Sequence, residues 1–497
     1  MQIPDYVEKI VKKLESGGFE AYIVGGCVRD LLRGVKPKDW DVTTNARPEQ
    51  ILKIIIEGKY ENVYGTVLVP HKEEGETLDI VEVTTYRSEQ EYSDRRHPDK
   101  ITFEDKLEKD LERRDFTINA MALKKLKIKN EKLKIYEHKI NLSGNEFLLI
   151  DLFGGQKDLS KKIIRAVGEP EERFKEDALR MLRAIRFSCQ LDFGIEPKTE
   201  RAIKKLAGSI KYISGERIRD ELVKIFETDK AYDGITKLRE LKLLQYIIPE
   251  LERGVGMAQK GHHLYSVFNH SVLSLKFCPS KDWRVKLACL THDIAKPNTR
   301  KIIKGDVTFY NHDIIGAKVT KKIMERLKFS GKDTEKVTTL VKNHMFYYNV
   351  GEVTESSVRR LIVKVGEENL KDLIDLRIAD RLGSGVPKAK PYKLRHLEYM
   401  MKKVRKHPVS VKMLKINGSD IMQLLQIEPG PKIGAILDVL LSEVIEDPKL
   451  NTKEYLEKRA VELNEMELET LRKKAKETID EKKMEDDEEL KKEFWVK

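Results

Sequence analysis

The sequence predicts an α+β protein, with strands and helices mixed in its N-terminal part and helices in the remainder. β-type apolar runs alternate with helical patterns over residues 1 to about 150, which indicates a small mixed sheet. Beyond about residue 156 the apolar spacing is helical. A chain of 497 residues is long enough for about three or four domains, each with its own core.

The first feature that carries chemistry is a glycine turn between a strand and a helix. The run Ala21–Val24 predicts a strand, Gly25 and Gly26 end it, and a helix is predicted from Val28 onward. Such a turn exposes backbone N–H groups to an anion, and Arg29 adds a fork-shaped cation for phosphate oxygens. Two glycines alone are equally typical of an ordinary tight turn, so the motif is weak by itself.

Two carboxylates follow soon after this turn. Asp39 and Asp41 are two residues apart, so in a strand both side chains would point to the same face. Two like charges that close repel unless a cation lies between them, and the hard cation that also bridges phosphates is Mg²⁺. Taken alone, the pair could be the solvated edge of a strand. Beside the glycine turn, it predicts a nucleotidyl-transfer site.

Two later segments offer side chains that suit a nucleotide. In Leu111–Ala120, Arg114 and Asp115 are candidates for contacts with a phosphate and a ribose hydroxyl. In the segment 176–187, the three side chains spaced three apart are predicted to share one face of a helix; they are Asp177, Arg180 and Arg183. A carboxylate beside a guanidinium presents acceptors and donors in a plane, as the edge of a base does. The plain alternative is a surface ion pair.

Together these segments resemble the ordered motifs of the bacterial class II tRNA nucleotidyltransferases, the CCA-adding enzymes. The resemblance runs from about residue 20 to residue 226. Its motifs are GGCVRD (Gly25–Asp30), DWD (Asp39–Asp41), VEVTTYR (Val81–Arg87), RRDFTINA (Arg113–Ala120), IRAVG (Ile164–Gly168), EDALRMLRAIRF (Glu176–Phe187) and the neck motif SGERIRDEL (Ser214–Leu222). It implies a polymerase-beta-like head followed by all-α neck, body and tail domains, adding C, C and A to tRNA 3′ ends without a nucleic-acid template.

The resemblance also implies a role for each matching residue. Asp39 and Asp41 would hold the Mg²⁺ ions and be the catalytic pair. The triphosphate would lie against Gly25, Gly26 and Arg29. The sugar and phosphates would lie near Arg114, Asp115 and Asn119, and the base edge of CTP or ATP would pair with Asp177 and Arg180. A third carboxylate often completes such sites, and the sequence does not choose between Asp79 and Glu82.

Two segments bear on which member of the family this is. The stretch from Ser88 to Leu107 resembles the flexible loop needed for adding the terminal A, although Arg95 stands where the family usually has glycine. The segment Val63–Val69 resembles the CCA-adding pattern and not the basic motif of bacterial poly(A) polymerases. An A-adding or poly(A) enzyme of the same family is the narrower alternative.

A second set of candidate ligands begins after residue 260, on segments that are predicted to be helical. Its members are His270, His292, Asp293, His312, His344 and Asp380. Imidazole and carboxylate ligands suit divalent metals, whereas any single histidine here is more often a core or surface residue. The set resembles the HD metal-dependent phosphohydrolases, which implies a further divalent metal of unknown identity and phosphatase or phosphodiesterase activity. The alternative is an HD fold that only holds tRNA.

Composition narrows the partners and the location. Lys and Arg number 95 against 83 Asp and Glu, a net charge of +12 that favours a polyanion such as tRNA. The four cysteines have no zinc-type spacing, so reduced thiols are expected. No apolar run approaches the roughly 18 residues of a membrane span, and the first residues lack a signal-peptide core. These observations predict a cytoplasmic protein with no membrane partner. They do not predict its oligomeric state.

We expect four domains from these patterns. They are a nucleotidyltransferase head at 1–155, a helical neck and the start of the body at 156–250, an HD domain at 251–387 and a helical tail with a charged C-terminal segment at 388–497. The rival hypothesis of a different class is a tRNA-binding factor in which only the HD hydrolase is active. The transferase is favoured over this rival because the motif residues are all present, namely Asp39, Asp41, Asp177 and Arg180.

Overall fold

The computed structural model describes residues 2–62, 65–71, 79–90, 100–126, 134–259, 264–405, 411 and 414–496. Within these ranges the chain forms two compact units. The first unit contains residues 1–342 and 379–386, and the second contains residues 343–378 and 387–497. The predicted loop around residues 91–99, with Arg95, and positions 63–64 lie outside the described residues.

The first unit is built on a mixed sheet. Its strands are β1 (Ala21–Val24), β2 (Trp40–Thr44), β3 (Lys59–Asn62), β4 (Thr66–His71), β5 (Asp79–Thr85), β8 (Met121–Lys125), β9 (Glu137–Leu142) and β10 (Asn145–Asp151). They lie in the order β3-β4-β5-β2-β1-β8-β10-β9. β2 and β5 run parallel, whereas the other neighbours are antiparallel. A separate hairpin pairs β6 (Arg87–Gln90) with β7 (Lys100–Phe103).

Side chains of alternating residues in β1 enter two different cores. Ala21 and Ile23 pack into the larger core, with residues of the helices on one face of the sheet, while Val24 packs with Tyr86 and Leu111. This alternation follows from the two-residue period of a strand. The sheet therefore packs against a core on each face. This packing fixes the ends of its central strands, next to which the candidate functional side chains lie.

The helices of the head are α1 (Asp5–Ser16), α2 (Gly26–Leu32), α3 (Pro48–Ile54), α4 (Leu107–Glu112) and α5 (Gly155–Ser160). The helices and short strands that follow are β11 (Ile163–Ile164), α6 (Pro170–Glu176), α7 (Leu179–Leu191), β12 (Gly194–Ile195), α8 (Pro197–Leu206), α9 (Gly215–Phe226), α10 (Ala231–Glu240), α11 (Leu244–Ile247) and α12 (Pro249–Glu252). α7 packs against α9, and a buried ion pair joins them, with Arg186 Nε 2.9 Å from Glu221 Oε2.

The remaining elements of the first unit are α13 (Val267–Lys276), α14 (Trp283–Thr291), α15 (Lys296–Thr299), β13 (Lys301–Ile303), β14 (Asp306–Thr308), α16 (His312–Arg326) and α17 (Gly331–Asn343), which reaches the boundary between the units. The antiparallel hairpin β13–β14 and the short parallel pair β11–β12 interrupt the run of helices. The expectation of helices alone after residue 156 was wrong at these points.

The second unit is helical in its described residues. It contains α18 (Glu355–Val365), most of α19 (Leu370–Gly383), α20 (Tyr392–Arg405), α21 (Gly418–Leu425), α22 (Pro431–Glu446), α23 (Lys453–Asn464) and α24 (Leu468–Phe494). Its core is formed by apolar residues of α21 to α24, among them Ile421, Leu440 and Leu456. The charged C-terminal segment folds as α24, which packs against α20 and α22.

The α+β class predicted from the sequence is confirmed, with a mixed sheet in the head and helices elsewhere apart from the short strands named above. In the part of the chain that the structure describes, no helix is long and apolar enough to cross a bilayer. The division into four domains stays a prediction.

Candidate functional site

An open cavity of about 830 Å³ lies in the first unit, where the sheet meets α7 and α9. All eleven residues predicted for nucleotidyl transfer line it: Gly25, Gly26, Arg29, Asp39, Asp41, Arg114, Asp115, Asn119, Asp177, Arg180 and Arg183. They come from four separate stretches of the chain, so it is the fold that brings them together.

The backbone geometry of the turn requires a glycine at position 25. Gly25 has φ of +82°, a conformation that side-chain-bearing residues adopt only with strain. A Cβ at this position would lie 2.9 Å from Asp41 Oδ2 and 3.1 Å from Arg114 Nη1. The turn therefore packs directly against the predicted catalytic carboxylate. α2 begins at the next residue, Gly26.

The carboxylates converge from two parallel strands. Asp41 lies in β2 and is paired in register with Glu82 of β5, while Asp39 immediately precedes β2. Burial raises the pKa of Asp41, and Asp39 raises it further against the opposing effect of Arg114. Burial also raises the pKa of Glu82, with added contributions from Asp41, Glu61 and Asp39. Carboxylates crowded in this way fit a hard divalent cation.

The structure separates the two candidates for a third carboxylate. Glu82 lines the cavity beside Asp41. Asp79 lies at the beginning of β5, where it accepts a hydrogen bond from the Tyr6 hydroxyl at 3.3 Å. Because β5 rises about 3.3 Å per residue, three residues place Asp79 far from the catalytic pair. The geometry favours Glu82.

The residues predicted for the sugar and phosphates form one hydrogen-bonded network. Arg29 donates to Asn119 Oδ1 at 2.8 Å and to both oxygens of Asp30 at 2.8 and 2.9 Å. The Asn119 amide donates in turn to Asp115 Oδ1 at 3.2 Å, and Arg183 Nε donates to Asp115 Oδ2 at 2.7 Å. Burial opposes ionisation of Asp115, but the Arg183 guanidinium outweighs it and the pKa of Asp115 is lowered.

Arg114 belongs to the same wall of the cavity. Its Nη2 donates to the buried Asp110 carboxylate at 3.2 Å, and its charge lowers the pKa of Asp41 against burial. Arg114 thus links the predicted phosphate-binding side of the cavity to the carboxylates.

The base-reading pair differs from the prediction in one respect. Asp177 is not on the helix that carries Arg180 and Arg183: it ends α6 with extended backbone angles, and α7 begins at Leu179. The Asp177 carboxylate accepts a hydrogen bond from the Leu179 N–H at 3.0 Å. An aspartate that caps a backbone donor competes with helical bonding, which explains why one helix was the wrong prediction. Asp177 and Arg180 still face the same cavity.

Several residues that line the cavity were not predicted. They are Lys38, Glu82, Arg87, Arg113, Arg186, Phe187, Gln190, Arg217 and Lys224, of which only Glu82 had been considered. The pattern of α9 could have indicated two of them. Arg217 and Lys224 are seven residues apart, so they share one face of α9, beside the face that carries the buried residues Ile218, Leu222 and Ile225.

The second predicted set forms a compact cluster in the first unit. His270 Nε2 lies 3.0 Å from His292 Nε2, 3.2 Å from Asp293 Oδ2 and 3.3 Å from Asp380 Oδ1. His312 Nε2 lies 3.3 Å from Asp293 Oδ1. Ligand atoms of His270, His292 and Asp293 are close enough to hold one metal ion. We call these five residues the histidine cluster.

Local structure orients the histidine cluster. Ser266 caps α13 one turn before His270. The Nδ1 atoms of His292 and His312 lie 2.8 and 2.7 Å from backbone carbonyls, so their Nε2 atoms turn to the cluster. The sixth predicted ligand, His344, is buried and belongs to the second unit.

The acidic side chains of the histidine cluster are already balanced by the neighbouring Lys296 and by the cluster's own histidines. Lys296 Nζ lies 2.6 Å from Asp293 Oδ2. Burial opposes ionisation of Asp293, but Lys296 and the neighbouring histidines hold its pKa well below the usual range. Burial also lowers the pKa of His270, but Asp293 and Asp380 outweigh burial and raise it to about 9.

Comparison with known families agrees with the nucleotide cavity. A model of the poly A polymerase head domain matches residues 21–165, and one of the probable RNA and SrmB-binding site of polymerase A matches residues 192–254. A model of tRNA nucleotidyltransferase domain 2 matches residues 310–460. The last match includes His312, His344 and Asp380, so that part of the chain is similar to a domain of tRNA nucleotidyltransferases.

Individual proteins give the same assignment. The chain is 33% identical to an A-adding tRNA nucleotidyltransferase of Deinococcus radiodurans over 84% of this chain and 90% of that one. It is 34% identical to a CCA-adding enzyme of Ligilactobacillus salivarius over 93% and 98%. A crystal structure of the Bacillus stearothermophilus CCA-adding enzyme with CTP is similar, with a TM-score of 0.56 and 25% identity over 93% and 98%. The chain therefore belongs to the family of CCA-adding and A-adding tRNA nucleotidyltransferases and is a nucleotidyltransferase.

Proposed function

We propose that the protein adds C, C and A to the 3′ end of tRNA, using CTP and ATP and no nucleic-acid template. The observation that carries this proposal is the single cavity that gathers the crowded carboxylates, the glycine turn and the Asp177–Arg180 pair. Its volume of about 830 Å³ is in the range of pockets that bind a ligand the size of a nucleotide. The net charge of +12 suits tRNA as the partner.

Asp39 and Asp41 would hold the Mg²⁺ ions, with Glu82 as the third carboxylate. Their crowding supports this role, because burial and the charge of Asp39 raise the pKa of Asp41, and burial and the charges of Asp41, Glu61 and Asp39 raise the pKa of Glu82. When bound, the metal would stabilise the charge that develops on the attacking 3′-hydroxyl and the leaving pyrophosphate. The protein's own part is to fix these oxygen ligands on two paired strands.

The triphosphate would lie along the turn at Gly25 and Gly26, against Arg29 and Arg114. Since Gly25 lacks a side chain, a phosphate can approach the backbone there without meeting one. Arg29 is held by Asp30 and Asn119, which fixes its guanidinium in place before a ligand arrives. A fixed donor costs less conformational entropy on binding.

Asp177 and Arg180 would read the base. Cytosine and adenine both carry an exocyclic amino group that donates to a carboxylate, and uracil and guanine carry a carbonyl oxygen at the matching position. Arg183, which is bonded to Asp115, would orient the sugar-binding wall and not the base. The same pair of side chains could therefore accept both substrates and reject the other two nucleotides.

The test uses three tRNA transcripts, ending before CCA, after C and after CC, with Mg²⁺ and either CTP, ATP or both. We expect the first transcript to grow by C, C and A and then to stop. Extension of only the third transcript by one A would establish an A-adding enzyme, which one of the similar proteins is by name. Long A tails would mean a poly(A) polymerase. No extension at all would refute nucleotidyl transfer.

A second activity is favoured by one specific observation, the convergence of His270, His292, Asp293 and Asp380. We propose that this cluster takes a divalent metal and hydrolyses phosphate esters, as in an HD-type phosphohydrolase domain at about residues 251–387. When bound, the metal would supply a Lewis acid and a nucleophilic water. Because Lys296 and protonated His270 already balance the carboxylates, a metal would have to displace their charge.

Hydrolysis of bis(p-nitrophenyl) phosphate tests this second activity. The full chain would be assayed after dialysis against EDTA and addition of Mg²⁺, Mn²⁺, Ni²⁺ or Zn²⁺ in turn. We expect metal-dependent hydrolysis that is lost in His292→Ala and kept in Asp41→Asn. Absence of hydrolysis with every metal would leave the cluster as a structural part of a tRNA-holding body. Cytoplasmic location is part of the same proposal, since tRNA is its substrate.

A further inference from the structure

The Asp177 carboxylate is held by an arginine from a distant part of the chain. Arg217 Nη2 donates to Asp177 Oδ2 at 2.7 Å, and Arg217 Nη1 donates to Asp177 Oδ1 at 3.3 Å. Arg217 lies in the first turn of α9, forty residues away, and its side chain also lines the nucleotide cavity. This is a two-pronged guanidinium–carboxylate pair, the geometry that fixes a carboxylate plane most firmly.

Arg217 and the Leu179 N–H together occupy most of the hydrogen-bonding capacity of the Asp177 carboxylate. A carboxylate has about four acceptor positions. Arg217 fills two of them, and the Leu179 N–H fills a third by donating to Oδ1. The position that remains is on Oδ2. A carboxylate fixed by three donors cannot rotate to suit a different base.

Arg180 is held in a similar way, although by acceptors. It donates to Glu176 Oε2 at 2.6 Å and to the backbone carbonyls of Arg173 and Arg113 at 3.3 and 3.0 Å. Both side chains of the proposed base-reading pair are therefore oriented before any nucleotide binds. The side chain that holds Arg180 is only four residues away, whereas the one that holds Asp177 is forty residues away, in α9.

We infer that Arg217 is the positioning residue that sets nucleotide selectivity, by fixing Asp177 so that its free Oδ2 position accepts the amino group of cytosine or adenine. The inference rests on the proposed function, because it assumes that Asp177 reads the base. A fixed acceptor faces the carbonyl oxygen of uracil or guanine with no donor to offer. Without Arg217 the carboxylate could turn aside, and the penalty against UTP and GTP would fall.

The test measures kcat/KM for CTP and UTP on a transcript that ends before CCA, and for ATP and GTP on one that ends after CC. The variants are Arg217→Gln, which removes the guanidinium, and Arg217→Lys, which keeps a positive charge. The matched control is Arg219→Gln, two residues along the same helix, where the side chain bonds Asp220 and the Lys328 carbonyl instead. Thermal unfolding of each variant verifies that it is folded.

For Arg217→Gln we expect the CTP-to-UTP and ATP-to-GTP preferences to fall about tenfold, with a smaller loss for the correct nucleotides. Arg217→Lys should show an intermediate loss of preference, and Arg219→Gln none. In an Asp177→Ala background, Arg217→Gln should change the preference no further, because the group it positions is gone.

Two results would overturn the inference. Unchanged preference in both Arg217 variants would show that Asp177 needs no positioning. An equal fall of kcat/KM for all four nucleotides would assign Arg217 to phosphate binding or to folding. Failure of the underlying proposal would look different, since Asp177→Ala itself would then leave the preference intact.

Discussion

The nucleotide cavity and the histidine cluster are both rich in acidic side chains, but their electrostatics are opposite. In the cavity, burial and neighbouring carboxylates raise the pKa of Asp41. In the cluster, Lys296 and the histidines outweigh burial and lower the pKa of Asp293. Arg114 and Arg29 favour ionisation of Asp41 but do not offset its burial, whereas Lys296 and the histidines more than offset the burial of Asp293. A divalent cation in the cavity would therefore relieve an unfavourable charge on Asp41, and a cation in the cluster would compete with Lys296 for Asp293.

Apart from loss of the catalytic carboxylates themselves, the largest effect is expected from the glycine turn of the cavity. Gly25→Ala should lower nucleotide addition about a hundredfold, because the new Cβ would lie 2.9 Å from Asp41 Oδ2 and shift that carboxylate. Gly18→Ala is the matched control, since Gly18 has φ of +86° but nothing within 4 Å of its Cβ position. Equal loss in both variants would mean that backbone strain, not the position of Asp41, is responsible.

The histidine cluster should respond most strongly in stability. Asp293→Asn is expected to lower the free energy of unfolding by about 3 kcal/mol, because it leaves Lys296 buried without its countercharge and leaves His270 with Asp380 alone. Urea denaturation measured in EDTA gives this value. Asp306→Asn, an exposed residue of the β14 hairpin, serves as the control and should change stability little. A loss below about 0.5 kcal/mol for Asp293→Asn would contradict a charge-balanced cluster.

The identity of the third carboxylate is tested by comparing two residues of β5, Glu82 and Asp79. Glu82→Gln should lower the rate of nucleotide addition about tenfold and weaken the apparent affinity for Mg²⁺, since Glu82 is paired with Asp41 across β2 and β5. Asp79→Asn should leave both unchanged, because Asp79 bonds Tyr6 and does not line the cavity. The opposite ranking would move the third ligand to Asp79.

The smallest expected effect is on the pH dependence of stability, to which Asp41 and Asp293 should contribute with opposite signs. Asp41→Asn should raise stability in EDTA by up to about 1 kcal/mol at pH 7, because a folded-state pKa above the unfolded value penalises the ionised form. That gain should vanish as the pH falls below the unfolded value near 4. The contribution of Asp293 has the other sign: it is present above about pH 4 and is lost as the pH falls toward its lowered pKa. Parallel pH profiles for the two variants would contradict the comparison.

The sequence predicted those parts of the cavity whose residues lie close together along the chain. A strand, a glycine turn and a carboxylate at Asp41 are local patterns that the structure has as expected, whereas Asp39 lies just before β2 and not in a strand with Asp41. The choice between Asp79 and Glu82 was not accessible, because it depends on the register of β2 against β5. The position of a residue along β5 does not show which residue of β2 it lies beside.

Long-range packing explains what sequence reasoning missed. Arg217 meets Asp177 only because α9 packs against α7, and the spacing of α9 by itself shows no more than an amphipathic helix. Asp177 was assigned to a helix because its spacing from Arg180 fits one, yet its own side chain ends α6 and caps Leu179. Lys296 was also not predicted as the partner of Asp293, although the two lie three residues apart in one short motif.

The most direct test of two independent sites measures both activities in the same three proteins. The wild type, Asp41→Asn and Asp293→Asn would be assayed for Mg²⁺-dependent incorporation of CMP into tRNA lacking CCA, and for metal-dependent hydrolysis of bis(p-nitrophenyl) phosphate. We predict that Asp41→Asn loses incorporation by about a thousandfold or more and that folded Asp293→Asn retains it, with the reverse pattern for hydrolysis. Incorporation by Asp41→Asn at the wild-type rate would contradict the assignment of the cavity as the site of nucleotidyl transfer.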